Sequence, residues 1–579
     1  MLYKWRLISK ACWCARYSAS NVIASCLIAW CFLSGHADHT VACAADGRPG
    51  PQFRVLTWNI WHGGREDGDQ LGPQRVADVI QESEADLIAL QETYGSGKLI
   101  AERLGFHFHP RGTNVSILSR HPIVEDISVF EDFKCVGALI ETPVGERVAF
   151  YSIWLPFNGD IWLPGNREQA DISEWLSVCE PSDRDLKRIW SLIQDRLSGS
   201  EYEGVGIIVA GDFNSMSHLD YTAVNEDQFG NTVAWPTSQV LTSAGFRDAY
   251  REMHPLVDRH QDSTWTPRFP EQQQDRIDFV YYKASEWHCN EAEILRNHPD
   301  GFPSDHAAVL TSFRTGGNAP LSTAHAVRAA TYNIRRGLGM DGKTDMKRTA
   351  DAIRNLNADI VGLQEVDMNV GRSGLQNMMR ELASRLQMHA AFAPFMPLDE
   401  GRYGIGLLSR YPIQQVRSVP LPEGNEPRVA LAVEVLLPDG STLTVVNIHF
   451  DWVSDDSFRW KQATALRDSL NEYDTPLLLI GDFNDRPGSR TLKMIQKNFR
   501  EAEKVGMNKA TWPANAPERE IDFLFVDRKH DWNLQGAVVA EESLASDHRP
   551  VVAVMSLTPS GSDGGKFRVA PDAPISESN

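Results

Sequence analysis

The chain has 579 residues, 42% of them hydrophobic and 23% charged, and a formal net charge of −20. That length exceeds one ordinary hydrophobic core and suits two. The acidic balance weighs against polymeric nucleic acid as a partner, because attraction to a phosphate backbone comes from clustered Lys and Arg.

The first 45 residues follow a different pattern from the rest. Lys4, Arg6, Lys10 and Arg16 make a basic start, residues 21–34 form an uncharged apolar run, and Ala42-Cys43-Ala44 resembles a cleavage site. Residues 1–44 therefore read as an export signal, which places the mature protein outside the cell or in the periplasm. The run is short of the ~20 residues that a membrane span needs; a retained N-terminal anchor is the alternative. Five of the eight cysteines lie in this segment, leaving Cys135, Cys179 and Cys289. Three scattered cysteines make neither a disulfide framework nor a zinc site, although one disulfide is conceivable after export.

Beyond residue 52 the first strand-like segment is FRVLTWNI (53–60), followed by a helical spacing at 75–81 through Val76, Val79 and Ile80. Short apolar strands are expected at 86–90, 148–154 and 206–210. They end in or are followed by Glu92, Trp154 and the string GDFN, which supplies Asp212 and Asn214. DRIDFVYY then supplies Asp278, and PSDHAAV supplies Asp305 and His306. Residues 314–328, rich in Gly, Ala and small polar residues, read as a linker.

The same series then recurs in the same order. ATYNIRRGL (330–338) ends a strand at Asn333, Asp345 caps a helix expected over 345–356, and LQE delivers Glu365. A strand over 442–450 carries Asn447 and His449, GDFN supplies Asp482 and Asn484, REIDFLFV supplies Asp522, and ASDHRPV supplies Asp547 and His548. His306 lies 247 residues after Asn59 and His548 lies 215 after Asn333, so each series is a complete unit and the first holds longer insertions. The domains are expected at 53–313 and 329–557, with a disordered tail at 558–579.

A buried strand that abruptly presents carboxylate, amide or imidazole is placing chemistry on a rigid support. Asp482 and Asn484, two apart, leave one face if the strand continues, which suits a water-activating base beside a phosphate-orienting amide. Glu365, Asn333 and Asp547 offer the oxygen ligands that a hard cation takes, as do Glu92, Asn59 and Asp305. His548 needs an orienting carboxylate, with Asp522 the candidate, as Asp278 is for His306. A histidinium at His449 would offset charge in a transition state. In the first half Trp154 stands at that place, and indole cannot transfer a proton. Arg428 would either clamp a substrate phosphate or be a solvated loop arginine. The turns of LPFNGDIWLPGN (155–166) form either a private substrate pocket or a cover for a sheet edge.

TWNIWHG, LQE, GDFN, DRIDFV and SDH in the first half, and TYNIRRG, LQE, YGIGLLSRYPI, NIHF, GDFN, REIDFLF and SDHRPV in the second, together resemble the endonuclease/exonuclease/phosphatase superfamily, the DNase I-like proteins. The resemblance implies an α/β fold, a four-layer α/β/β/α sandwich, duplicated in tandem. It implies Mg²⁺, with Mn²⁺ as substitute, held chiefly by Glu365 with Asn333 and Asp547. It implies Asp482 as the residue that positions or deprotonates water, Asn484 on the phosphate, His548 oriented by Asp522, and His449 as a second histidine. The reaction implied is in-line attack of water on phosphorus.

Three functions compete. The first is an exported hydrolase of a small-molecule or lipid-linked phosphoester with the second half as main catalyst. The second is a secreted nuclease using Arg335, Arg336, Arg372 and Arg428 as a basic groove. The third is a phosphoester-binding protein with a degenerate first domain. The sequence names neither the substrate nor the oligomeric state.

Overall fold

In the computed structural model, residues 52–142, 146–284, 287–315, 326–506 and 508–557 are described. The expected export signal, the expected tail and the middle of the linker lie outside the described residues. Each series of motifs builds two six-stranded sheets, and the strand orders of the two copies correspond one for one.

In the first copy, one sheet runs His288–Leu295, Ala308–Arg314, Gln52–Asn59, Leu87–Gln91, Val115–Ser119, His107–Arg111. The other runs Ile123–Asp126, Cys135–Glu141, Arg147–Trp154, Gly206–Asp212, Asp278–Lys283, Arg247–Asp248. Side-chain alternation explains the layering. Along Gln52–Asn59, Phe53 and Val55 point into the core between the sheets, while Leu56 and Trp58 point to the helix side. A strand buried on both faces reads as a nearly continuous apolar run, as these do. Helix Leu71–Ser83 covers the outer face with Val76, Val79 and Ile80, in line with the spacing at 75–81. On the other side lies helix Ile172–Arg196, opened by a capping box in which Asp171 and Glu174 each take the other's backbone N–H.

The second copy repeats this. Ala326–Asn333 pairs with Ile360–Met368 in parallel, and Thr442–His449 pairs with Leu477–Asp482 in parallel. Helix Met346–Asn355 lies outside one sheet, its N-terminus capped by the Asp345 side chain accepting from Arg348 N–H, and helix Ser457–Leu470 outside the other. Each copy is thus the four-layer α/β/β/α sandwich. The three remaining cysteines are buried free thiols. Among the described residues, no helix is long and apolar enough to cross a membrane.

The copies also pack on each other. His218 Nε2 lies 2.8 Å from Gln414 O, and Asn377 Nδ2 donates to Val224 O at 2.8 Å. Val224 is buried in the helix-side core of the second copy, with Met378 and Phe392. A cavity of about 540 Å³ lies along this seam, between segments 218–258 and 380–418.

Candidate active site

Strand register assembles the site of the second copy. His449 pairs with Asp482, and Asp482 pairs with Asp522, so three polar side chains end three adjacent strands side by side. The facing sheet contributes Asn333 and Glu365 from its own strand ends. Asn333 Nδ2 bridges the two sheets, donating to Glu365 Oε1 at 3.1 Å and to Asp482 Oδ2 at 3.2 Å. Gly481 precedes Asp482 because the chain there grazes its neighbour: a Cβ would sit 2.1 Å from Ile448 O. Glu365 and Asn484 both hold positive φ, 57° and 49°, as do Glu92 and Asn214 at 55° and 45°. Four non-glycine residues in the left-handed region at matching places mark backbone held against its preference at the site.

Asp482 is buried and accepts from Asn484 N–H at 2.9 Å, while Asn484 Nδ2 donates to Phe450 O at 3.1 Å. His548 is buried, with Nδ1 3.0 Å from Asp522 Oδ2 and Nε2 3.7 Å from Asp482 Oδ2. Burial opposes charge on this imidazole, but Asp522 and Asp482 outweigh it and raise its basicity. Burial raises Asp482 in turn, and the Asp522 charge adds to that. Ser546 Oγ fixes the approach of the Asp547-His548 turn by donating to Asn333 O at 2.6 Å. Asp547 lies 3.5 Å from Trp512 Nε1 and 3.6 Å from Arg335 Nε.

The first copy repeats the geometry. Asn59 Nδ2 donates to Glu92 Oε1 at 3.2 Å and Asp212 Oδ2 at 3.1 Å. His306 Nδ1 lies 2.9 Å from Asp278 Oδ2, and Ser304 Oγ donates to Asn59 O at 2.7 Å. Asp305 is pushed up to about 6, first by burial, with the Glu92 charge adding to it. Trp154 pairs with Asp212, the register position that His449 holds against Asp482.

Both copies carry a donor set that fits a divalent cation. Asp482, Asp522 and His548 bring ligand atoms within 4.8 Å of one another, as do Asp212, Asp278 and His306. Asp278 Oδ1 and Asp522 Oδ1 are buried without a hydrogen-bond partner. Carboxylates gathered this closely, two of them in each copy served by a single asparagine amide, call for a positive charge among them.

Three expectations need correction. Asn447 lies on the same strand face as His449 but two residues deeper, fully buried between the sheets. Its amide is fully engaged: Nδ2 donates to Leu363 O and Gly406 O, and Oδ1 accepts from Gln364 Nε2. It ties the sheets together and does not face the site. His449 is not held as a histidinium: burial, and then the Arg428 charge, keep its imidazole well below its usual basicity. Arg428 is neither solvated nor an open clamp. It is buried, with Nη1 3.4 Å from His449 Nδ1, Nη2 2.9 Å from Glu426 and its guanidinium 5.1 Å from the Phe395 ring centre.

Sequence reasoning also missed partners. Ser304 and Ser546 precede both Asp-His pairs, and Trp265 and Trp512 follow a threonine in both copies; this repetition was the available signal. Segment 155–166 packs against helix Ile172–Arg196 and also reaches the first site. Ile161 and Trp162 bury themselves beside Trp175 and Trp235, and Phe157, Asp160 and Trp162 line the mouth of the first site.

An uncharacterized protein of Caenorhabditis elegans, F14F9.5, is 28% identical over 291 residues, covering 45% of this chain and 91% of that protein. The uncharacterized protein YbhP of Escherichia coli K12 is 27% identical over 248 residues, covering 40% of this chain and 96% of that protein. Among solved structures, the endonuclease/exonuclease/phosphatase from Bacteroides vulgatus is 23% identical, with a TM-score of 0.35, over 40% of this chain and 99% of that one. The model of the Endonuclease/Exonuclease/phosphatase family matches residues 56–306 and again 330–548. Carrying that fold and its carboxylate-histidine site twice, the chain belongs to the endonuclease/exonuclease/phosphatase family and is a metal-dependent phosphoric ester hydrolase.

Proposed function

We propose that the protein is an exported Mg²⁺-dependent hydrolase of a small-molecule or lipid-linked phosphoester, with the second copy as its main catalyst and Mn²⁺ as a substitute metal. The observation that carries the division of labour is the strand-end pair His449 and Trp154, at one register position opposite Asp482 and Asp212. Export rests on residues 4–44 of the sequence, and a retained N-terminal anchor is its alternative.

Of the clustered donors, Asp482, Asp522 and His548 are kept for water and phosphate, and Glu365, Asn333 and Asp547, joined to that cluster through the Asn333 amide, would hold the cation, as Glu92, Asn59 and Asp305 would in the first copy. A bound divalent cation supplies charge that stabilises developing negative charge on a phosphoryl oxygen. The protein's own groups do the rest. Asp482 takes the proton of the attacking water, or orients that water, and is itself held by Asn333 and Asn484. His548, fixed by Asp522, keeps Nε2 toward the reacting phosphate as an acid or a donor. His449, with Nδ1 facing Arg428, presents Nε2–H to a phosphate oxygen. Asn484 steadies the phosphate from the turn after Asp482.

Acidity and arginine pairing support a small or lipid-linked substrate over a nucleic acid. Of the four arginines considered for a basic groove, Arg335 faces Asp547, Arg372 makes two hydrogen bonds to Asp367, and Arg428 is buried against Glu426. The test is a turnover screen of the full chain with Mg²⁺ or Mn²⁺ on phosphodiesters, phosphomonoesters, sphingomyelin, DNA and RNA, at 50 and 200 mM salt as working concentrations. A nuclease would lose affinity steeply with salt. A preference for DNA or RNA with that dependence overturns the substrate reading, and absence of any metal-dependent turnover overturns the catalytic one.

A further inference from the structure

The two copies do not close on each other completely. The cavity of about 540 Å³ at their seam is walled by Val224 and Leu256 of the first copy and by Ala390, Phe392, Ile413 and Val416 of the second. Val224, Phe392 and Ile413 are buried, so two cores meet here, while Val416, 39% exposed, marks where the cavity reaches solvent. The volume falls within the ~300–1,000 Å³ of pockets that take small organic molecules. It is separate from both carboxylate-histidine clusters, none of whose residues lines it.

The charges along this wall are already matched. Arg251 Nε lies 3.0 Å from Asp220 Oδ1 and its Nη2 2.9 Å from Asp262 Oδ2. Arg402 pairs with Glu226, and Arg380 Nη1 lies 3.8 Å from Asp227 Oδ1. Asp258 accepts from the backbone N–H groups of His260 and Gln261. A charged ligand head would therefore leave water without meeting an unspent counter-charge. His218 is engaged at both ring nitrogens, by Ser238 Oγ at 2.6 Å and Gln414 O at 2.8 Å.

His389 is the exception. It opens the edge strand His389–Leu398, is 7% exposed and keeps that surface on the cavity wall. Among the described residues, nothing hydrogen-bonds its ring. Burial, and then the Arg251 charge, hold it down to about 3, so at neutral pH the ring carries one N–H and one lone pair. An imidazole nine-tenths buried with both nitrogens unspent, beside aliphatic walls, calls for a ligand with one polar group. A hydroxyl both donates and accepts, so it satisfies whichever nitrogen it meets; a carbonyl or ether oxygen can meet only the N–H.

We propose that the seam cavity binds an uncharged aliphatic alcohol, its chain among Val224, Leu256, Phe392 and Ile413 and its hydroxyl on His389. The chain touches both copies at once, so binding holds them together and stabilises the folded pair. A fatty acid or an alkylammonium of the same length is excluded by the desolvation of its head.

The experiment uses the full chain. Binding of decanol, decanoate and decylammonium is measured by calorimetry at neutral pH, with the melting temperature and metal-dependent turnover followed in parallel. The expected result is a single decanol site per chain, about tenfold or more tighter than for either charged analogue, with a raised Tm. His389→Leu, which keeps an apolar side chain and removes both ring nitrogens, should weaken decanol about tenfold. Val416→Trp, at an exposed strand position, fills the cavity's opening and should abolish binding while leaving turnover and the unliganded Tm near native. Should that variant not fold, Ser418→Trp, exposed on the same wall, replaces it. Absence of decanol binding, equal binding of all three amphiphiles, or binding undiminished by the tryptophan overturns the site. Tighter binding of decanoate, or indifference to His389→Leu, overturns the assignment of an uncharged alcohol.

Discussion

Replacing Arg428 probes how the second site sets its imidazole. The guanidinium lies 3.4 Å from His449 Nδ1 and 2.9 Å from Glu426, with its side chain 1% exposed. Two unit charges at that separation repel by about 5 kcal/mol at an effective dielectric of about 20. Glu426 offsets part of this, and burial of His449 acts in the same direction as Arg428. A proton on Nδ1 is therefore excluded, and the proton of the neutral ring sits on Nε2, the nitrogen 3.5 Å from Asp482 Oδ2. Arg428→Met removes both the charge and the donor, so both tautomers become available and the Nε2–H donor to phosphate is present only part of the time. A hydrogen bond to a charged group is worth ~1.5–3 kcal/mol, which sets a fall in kcat of roughly 10- to 100-fold with a small change in KM. Arg428→Gln keeps an N–H that reaches toward Nδ1 and should recover part of the loss. The assays are steady-state kinetics on the best substrate of the screen and ¹⁵N NMR of the His449 ring, where Nδ1 should carry the lone-pair signature in the native protein. Turnover of Arg428→Met within twofold of native, or a native ring protonated on Nδ1, refutes the reasoning.

Other consequences follow from the same geometry. Glu365→Gln should raise the Mg²⁺ midpoint of activity at least tenfold, because an amide attracts a hard cation far less than a carboxylate does; an unchanged midpoint moves the ligand role elsewhere. Asp482→Asn should remove most turnover with the melting temperature nearly kept, and near-native kcat would take Asp482 out of the chemical step. His548→Ala should abolish most activity of the full chain and His306→Ala little of it; the reverse pattern would reassign the main catalyst to the first copy. His389, buried at the seam between the copies, is held down to about 3, chiefly by burial and also by the Arg251 charge. The unfolded chain takes up that proton below about 6.5 and the folded chain does not until about 3. Stability is therefore lost as pH falls through this window, by about 1.4 kcal/mol per pH unit. Between pH 7 and 5 the native protein should lose about 2 kcal/mol more than His389→Gln, measured by urea unfolding; parallel losses would refute it.

The strands, the duplication and the polar residues at the strand ends were legible because each depends on local order: apolar run, then Asn, Glu, Asp or His, twice. What the sequence could not show was depth. Asn447 and His449 share a face by the period of two, but only the last residue of the strand reaches the mouth, and the earlier one meets Gln364 from the facing sheet. Arg428 read as either a phosphate clamp or a solvated loop arginine, because nothing in EPRVALAVEV reveals that the Phe395 ring packs on it and buries it with its neighbour Glu426. Trp154 was legible as a replacement since its place in the strand is fixed by the following GDFN register. Trp162 was visible only as an unusual turn; its packing beside Trp175 and Trp235 exists only after folding.

The seam where Val224 enters the helix-side core of the second copy alters what counts as one molecule. F14F9.5 and YbhP align along nearly their whole lengths with less than half of this chain, so the relatives are single-copy proteins. Here the duplicate has surrendered part of that independence. A fragment cut at the linker would expose the floor on which Val224, Met378 and Phe392 meet, and burying one such side chain is worth ~1.5–3 kcal/mol. The two copies are thus grafted onto one another through a shared core, and heat should melt them together in one calorimetric transition.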